Sequence, residues 1–254
     1  MAAISREVFV DPSPEEATGQ ASKLVRKVIG EAVEQRGACY IALAGGTTPH
    51  ALYLRLAADG VSGRVPWQDV TVFFGDERNV PQDHVESNYC MAQRTLLDHV
   101  PVDLMRVYPM PADAEDLQAA AAGYEQTIRH IVPDDGGTTP RFDLILLGMG
   151  VEGHTASLFP NSEGLAETKR LVTAHFVPML GRHRMTFTYP LINASRNVLL
   201  FVTGADKAEP IAALLGDDEP ARSRLPASGV APTDGRLVVV LDAAAARGTD
   251  LPHP

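Results

Sequence analysis

Short runs of consecutive apolar residues recur along the chain, and each is bounded by Gly, Asp or Asn. Runs of this length are typical of strands that are covered on both faces, as in a parallel sheet. Five runs have this form, at residues 40–44, 70–74, 142–147, 198–203 and 237–241. We therefore predict five buried strands.

Apolar residues recur at helical spacing between these runs. The clearest case is 14–34, where Ala17, Ala21 and Leu24 share one helical face. Helices are predicted over 14–34, 49–58, 88–100, 114–132 and 205–215. Strands that alternate with helices are the signature of βαβ units. The pattern predicts an α/β fold with a mostly parallel sheet flanked by helices. The length suits one large domain or two small ones, and we expect a single domain over 1–254.

The charge balance limits the class of partner. The formal net charge is −10, which disfavours general affinity for nucleic acid because that affinity depends on cations that neutralise phosphates. A local cluster of cations and backbone N–H groups still suffices for a small phosphate ester. We recognise no signal peptide, no membrane-spanning run and no CxxC motif at Cys39 or Cys90, so we expect a cytoplasmic protein without a membrane partner.

The first candidate segment for chemistry is LAGGTTP at 43–49, where a predicted strand meets a predicted helix. Gly45 and Gly46 allow a ligand to approach the backbone closely. The hydroxyl of Thr47 and the N–H groups at the start of the helix can hold a phosphate. An ordinary turn, with Thr47 or Thr48 as the N-cap of the helix, explains the segment equally well.

The second segment, GDER at 75–78, places Asp76, Glu77 and Arg78 after a strand, at the edge where α/β sheets bind ligands. Arg78 can grip a phosphate or polarise a carbonyl. Taken alone, three adjacent charges are more typical of surface ion pairs. Ser87 and Asn88, further on, are suited to cap the next helix.

The third segment, LLGMGVEGHTASLFP at 146–160, is the most informative. A strand ends in a glycine-rich turn, and His154 follows that turn, just before a predicted short helix. Histidine is the side chain most readily poised as a base near neutral pH. Glu152 is placed to orient its imidazole. The alternative is a histidine that merely caps a turn.

The fourth segment begins with GRHR at 181–184, where Arg182 and Arg184 open an alternating, strand-like stretch. Arginine is well shaped to bind phosphate through two hydrogen bonds, although an exposed basic edge would have the same sequence. Lys207, in a later helix start, is either a ligand contact or a solvated lysine. Motifs for serine hydrolases, zinc peptidases, dinucleotides and ATP are absent from the sequence, and the histidines have no metal-ligand spacing.

Together these segments resemble the 6-phosphogluconolactonase family. The resemblance covers most of the chain in order: LAGGTTP at 43–49, GDER at 75–78, SNY at 87–89, GMGVEGHTASLFP at 148–160, RMTFTYPLINASRNVLLFVTG at 184–204, DKA at 206–208 and LDAAAA at 241–246. It implies a Rossmann-like α/β fold of the NagB/RpiA type, related to glucosamine-6-phosphate deaminases. It also implies hydrolysis of 6-phospho-D-glucono-1,5-lactone to 6-phospho-D-gluconate in the oxidative pentose phosphate pathway, without a metal or redox cofactor, by a monomer or small homo-oligomer.

The resemblance also assigns roles to residues. His154 is implied to be the general base that takes a proton from the attacking water, with Glu152 orienting it. Arg78, or backbone N–H groups of the glycine turns, would stabilise the oxyanion. The phosphate would be held by Gly45, Gly46, Thr47 and Arg184.

Two positions depart from the family pattern. Glu152 stands where the family usually has Asp, so the carboxylate is kept on a longer arm. Met179 stands where a phosphate-binding Lys is usual, and Arg182 is the nearby cation that can replace it. These departures keep open a non-catalytic sugar-phosphate sensor. A glucosamine-6-phosphate deaminase is the other alternative, although its typical GxNGHIAFNEP-like stretch is absent.

Overall fold

The computed structural model describes residues 5–60 and 65–252, and within these ranges the chain forms nine strands and seven α-helices. The strands are β1 (Ser5–Asp11), β2 (Cys39–Leu43), β3 (Val70–Phe74), β4 (Asp76–Arg78), β5 (Leu144–Leu147), β6 (Val172–Val177), β7 (Arg182–Phe187), β8 (Asn197–Val202) and β9 (Arg236–Asp242). The helices are α1 (Pro14–Arg36), α2 (Thr47–Gly60), α3 (Asn88–Thr95), α4 (Leu117–Ile131), α5 (Tyr189–Ile192), α6 (Ala208–Leu215) and α7 (Glu219–Arg222). Within the same ranges, no helix is both long and apolar enough to cross a membrane.

Six strands form a parallel sheet in the order β1-β9-β8-β5-β2-β3. The predicted α/β class and parallel sheet are therefore confirmed, and all five predicted runs lie in this sheet. The sequence pattern missed β1, in which the polar residues Arg6 and Glu7 are exposed. This strand pairs only with β9, at the edge of the sheet, and lacks the continuous apolar run of a central strand.

A second, antiparallel sheet has the order β4-β7-β6. Only Gly75 separates β4 from β3, so the chain passes directly from the first sheet to the second. The N–H of Gly75 donates to the Leu43 carbonyl (2.9 Å), and the Gly75 carbonyl accepts from the N–H of Phe187 (2.8 Å). The strand-like stretch predicted after residue 181 is β7, whereas β4 and β6 were not predicted.

Most predicted helices are confirmed, with shifted ends. Helix α4 begins later than predicted because the Asp116 carboxylate caps it, accepting from the N–H groups of residues 118 and 119. Helix α3 ends at Thr95 because Leu96 leaves the helical conformation (φ −133°, ψ −61°). The stretch predicted as one helix over 205–215 is a 3₁₀ turn at Ala205–Lys207 followed by α6.

Aromatic packing joins the two sheets through a shared core. Phe142, just before β5, stacks edge-on with Phe73 of β3 at 5.4 Å between ring centroids. The same ring lies 5.5 Å from the ring of Phe187 in β7. All three side chains are fully buried, and each burial stabilises the fold by roughly 1.5–3 kcal/mol. The second sheet is thus fixed against one edge of the parallel sheet.

Candidate functional site

A cleft with a volume of about 350 Å³ lies at the carboxyl ends of β2, β5 and β8. From β2 the chain proceeds outward to β3, whereas β5, β8 and β9 extend the sheet the other way. Such a reversal of strand order is where open α/β sheets bind ligands. The second sheet forms the remaining wall. The cleft brings together seven predicted site residues: Gly45, Gly46, Thr47, Arg78, Glu152, His154 and Arg184.

The glycine loop after β2 is built for close approach. A side chain at Gly45 would place its Cβ 1.8 Å from Oδ1 of Asn88, and Gly46 has a φ of +104°. Helix α2 begins at Thr47, so Thr47 and Thr48 are its first residues rather than its N-cap. The first N–H groups of a helix have no partner within the helix. The loop therefore presents free N–H donors and a positive helix end to the cleft.

His154 and Glu152 form a pair that also lines the cleft. Nδ1 of His154 lies 3.0 Å from Oε1 of Glu152, and both side chains are about three-quarters buried. Gly150 makes room for the pair, because a Cβ there would lie 2.1 Å from Nδ1 of His154. With the carboxylate facing Nδ1, the proton of the neutral ring belongs on Nδ1. Nε2 is then left with its lone pair, free to act as a base.

The environment keeps His154 neutral. Burial lowers its pKa below the ordinary value of 6.5, while the negative charge of Glu152 acts in the opposite direction. The imidazole stacks on the ring of Phe159 at 4.0 Å between centroids, which accounts for much of its loss of water. A neutral imidazole at pH 7 is the form that accepts a proton.

The prediction of a short helix after His154 is wrong. Residues 155–158 form a tight turn, in which the N–H of Leu158 donates to the Thr155 carbonyl at 2.9 Å. The sequence GHTAS contains no helical periodicity, and Ala156 has a positive φ of 48°, which a helix excludes. The hydroxyl of Thr155 donates to the Gly148 carbonyl (2.8 Å) and fastens the turn to the end of β5.

The GDER segment divides into one cleft carboxylate and one structural carboxylate. Asp76 lines the cleft although it is only 8% exposed, and it accepts from Ser157 Oγ (2.7 Å) and Asn88 Nδ2 (3.2 Å). Glu77 points the other way and caps α3, accepting from the N–H groups of Asn88 (2.8 Å) and Tyr89 (2.9 Å). Burial raises the pKa of Glu77, against these hydrogen bonds. Ser87 is the N-cap of α3, as predicted.

The cleft-facing side of the second sheet is strongly basic. Arg78 of β4 pairs in register with Arg184 of β7, and both line the cleft. Burial, and then the charge of Arg78, lower the pKa of Arg184. Like charges directly opposite on neighbouring strands are unfavourable, so this pairing is typical of a site that receives an anion.

The structure also places two further cations, Arg182 and Lys207, relative to the cleft. Arg182 does not line the cleft; its Nη1 lies 2.7 Å from Oε2 of Glu86 on the rim. Lys207, which the sequence left undecided, does line it, with Nζ 2.9 Å from Oδ2 of Asp206. Asp76 and Lys207 are the functional candidates that sequence reasoning did not select. The signal for both was their position just after a strand of the sheet. Among the described residues, no group of three or more His, Cys, Asp or Glu is arranged to hold a metal ion.

Comparison with known proteins shows the family to which the chain belongs. The family described as glucosamine-6-phosphate isomerases/6-phosphogluconolactonase matches residues 12–239. The chain belongs to this family. The matched range contains every residue that lines the cleft.

Relatives within the family are similar over most of their length. A 6-phosphogluconolactonase of Synechocystis is 40% identical, with 84% of this chain and 86% of the relative covered. A 6-phosphogluconolactonase of Mycobacterium tuberculosis is 39% identical, with 89% and 92% covered. The solved 6-phosphogluconolactonase of Trypanosoma brucei is 30% identical, has a TM-score of 0.83, and is matched over 96% of this chain and 98% of its own. The family fold expected from the sequence is thereby confirmed.

Proposed function

We propose that this chain hydrolyses 6-phospho-D-glucono-1,5-lactone to 6-phospho-D-gluconate, a step of the oxidative pentose phosphate pathway. The observation that carries the proposal is the cleft itself. One wall holds a histidine–carboxylate pair with a free Nε2, and the other walls hold the N-terminus of α2 and a pair of arginines. Such a site can activate water at one end of a substrate while it holds an anionic group at the other.

His154 is the general base in this proposal. Nε2 takes a proton from a water molecule as the water oxygen attacks the lactone carbonyl carbon. The bond between that carbon and the ring oxygen then breaks, and the protonated imidazole returns the proton to the departing ring oxygen. Glu152, 3.0 Å from Nδ1, fixes the tautomer and stabilises the transient imidazolium.

The attack places negative charge on the former carbonyl oxygen. Donors that already point to that place stabilise the transition state without reorganisation. Arg78 is one candidate, because it lines the cleft that holds His154. The other is the glycine turn that begins at Gly148, apart from the N–H of Gly150, which already donates to the His154 carbonyl (3.0 Å).

The phosphate fits the part of the cleft that is lined by the start of α2 and by Arg184. Gly45, Gly46 and Thr47 supply N–H donors at the start of α2, where the helix dipole favours an anion. Arg184 supplies the guanidinium of a partly buried residue, which has lost part of its hydration already. Binding of this remote group fixes the lactone ring relative to His154, which lowers the entropic part of the barrier.

The experiment that tests the proposal is hydrolysis of freshly prepared 6-phospho-D-glucono-1,5-lactone, corrected for spontaneous hydrolysis. Wild type should turn over rapidly, and His154→Ala should lose about 10²–10⁴-fold in kcat. His130→Ala, an exposed histidine on α4, is the matched control and should behave as wild type.

Two other outcomes would overturn the proposal. Tight binding of 6-phosphogluconate with no turnover by folded wild type would identify a sensor. Release of ammonia from glucosamine 6-phosphate would identify a deaminase. A folded His154→Ala variant with normal turnover would instead remove His154 from the mechanism.

A further inference from the structure

Three arginines lie on the same face of the second sheet. Arg182 and Arg184 are two residues apart in β7, so their side chains project to the same side. Arg78 lies in register with Arg184 on the neighbouring strand. Two of the three line the cleft, and Arg182 continues their row towards its mouth.

A single residue of the rim, Glu86, contacts two of these arginines by different groups. Its backbone carbonyl accepts from Nη1 of Arg78 at 2.6 Å. Its carboxylate accepts from Nη1 of Arg182 at 2.7 Å. The Arg182 guanidinium holds the pKa of Glu86 below its usual range, so the carboxylate is ionised at neutral pH. Glu86 thus neutralises Arg182 while leaving the cation of Arg78 facing the cleft.

The Glu86–Arg182 pair is easily broken. The two side chains are 46% and 55% exposed, and ion pairs this exposed change an equilibrium by a factor of about one to five. Hydrogen bonds to a phosphate are stronger, because a phosphate ester carries up to twice the charge of the Glu86 carboxylate and offers the guanidinium three acceptor oxygens. A phosphate ester in the cleft therefore competes successfully for the Arg182 guanidinium.

We propose that Glu86 is a resident counter-ion of Arg182 beside the cleft and that the phosphate of the substrate replaces it, so that Arg182 favours the binding of phosphorylated over neutral lactones. The inference rests on the proposed function for the identity of the lactone. Neutral ligands do not break the pair, because they offer Arg182 no replacement for the carboxylate. Arg182, which does not itself line the cleft, becomes a phosphate ligand when the phosphate replaces Glu86.

Glu86→Gln and Arg182→Gln test the proposal, because each removes one charge and keeps the size of the side chain. Glu86→Gln also keeps the backbone carbonyl that holds Arg78. A matched pair for control is Glu7 and Arg236, whose ion pair has the same 2.7 Å length and similar exposure (47% and 49%). Arg236 is the first residue of β9, so this control pair lies at the opposite end of the parallel sheet from the cleft. Glu7→Gln and Arg236→Gln should leave ligand binding unchanged.

The readout is the Kd for 6-phosphogluconate by calorimetry, together with KM for phosphorylated and unphosphorylated gluconolactone. Arg182→Gln should weaken 6-phosphogluconate binding and raise KM for the phosphorylated lactone about tenfold, with kcat nearly unchanged. Glu86→Gln should lower both the Kd and this KM about two- to fivefold, because no carboxylate then competes with the phosphate for Arg182. Adding Glu86→Gln to Arg182→Gln should have no further effect, and kinetics on the unphosphorylated lactone should not change.

Two results would overturn the proposal: an unchanged Kd in Arg182→Gln, or weaker binding in Glu86→Gln. The binding arm separates this failure from failure of the proposed function. If wild type hydrolyses no lactone but the variants shift the Kd as expected, the proposed function fails and the counter-ion role stands. If wild type hydrolyses the lactone and the variants leave both Kd and KM unchanged, the counter-ion role alone fails.

Discussion

The contact between His154 and Glu152 combines two opposing influences on one imidazole. Burial against Phe159 lowers the pKa of His154, and the carboxylate of Glu152 partly restores it. The net shift is downward, so the base is unprotonated at neutral pH. Glutamate in place of the aspartate usual in the family still brings Oε1 to 3.0 Å from Nδ1, so the longer arm keeps the orienting contact.

Glu152→Gln should therefore change the pH profile as well as the rate. Without the carboxylate charge, the pKa of His154 falls further, so the acid limb of kcat/KM should move to lower pH. The plateau should fall by about 10-fold or more, because the imidazolium formed in the transition state loses its counter-charge. Glu152→Asp, which keeps the carboxylate, is the matched variant and should retain most of the wild-type plateau and the position of the acid limb. An acid limb that stays in place in Glu152→Gln would show that another group controls it.

His175 on β6 is a second buried histidine, with no use in the proposed mechanism. It is 3% exposed, and burial lowers its pKa below 6.5, while Glu163 opposes that shift. Protonation is thus harder in the folded than in the unfolded chain. The corresponding stability is fully present above pH 6.5 and is lost as pH falls from 6.5 through the lowered pKa.

Unfolding by urea at about pH 7.5 and pH 5.5 measures this contribution. Wild type should lose stability over this interval, and His175→Gln should lose less, because glutamine takes up no proton on unfolding. Exchange of the exposed His183 for Gln serves as the control and should leave the wild-type difference intact. An equal loss in His175→Gln and wild type would mean that His175 is not part of the pH dependence.

Among the structural elements, the turn after β5 also determines the position of the His154–Glu152 pair. The turn after β5 must pass close behind the His154–Glu152 pair, and only a residue without a side chain leaves the room. Gly150→Ala should therefore displace the imidazole, since its Cβ would lie 2.1 Å from Nδ1 of His154. We expect a loss of about 100-fold or more in kcat, because a misplacement of about 1 Å costs this much.

Gly123→Ala is the control for that substitution. Gly123 lies within α4, where an added Cβ meets nothing within 4 Å. Alanine there should raise the free energy of unfolding by roughly 0.5–1 kcal/mol and leave turnover unchanged. If Gly150→Ala keeps wild-type kcat, the turn is able to move, and the glycine is not needed for the position of His154.

For the fold of the complete chain, the sequence was most informative where continuous apolar runs marked the strands. The central strands carry continuous apolar runs, and the parallel sheet followed from them. The second sheet was harder to predict, because β4 is three residues long and wholly charged, and its partners are distant in the chain. The same distance in sequence applies to the candidate site: Asp76 and Lys207 line the cleft only because the fold brings 76, 154 and 207 together. The contact between Glu86 and Arg182 could not be predicted from the sequence either, because 96 positions separate the two residues in the chain.

The position of the second sheet depends on Phe187. Its ring lies 5.5 Å from that of Phe142, just before β5, and 6.5 Å from that of Tyr124 in α4, and its N–H donates to the Gly75 carbonyl. Phe187→Leu should lower the free energy of unfolding by about 1–2 kcal/mol, measured in urea, because the smaller side chain leaves space between the sheets.

The same change should reach the cleft, because Phe187 ends the strand that carries Arg184, and β7 fixes Arg78 through its register with β4. KM for the phosphorylated lactone should rise about three- to tenfold while kcat changes less, since His154 follows a strand of the first sheet and the proposed phosphate ligand Arg184 lies in the second. Phe176→Leu, on β6 but 45% exposed, is the matched control and should alter neither quantity appreciably. Loss of stability without a change in KM would mean that the second sheet keeps its place without this ring, and that its strand register alone aligns the arginines.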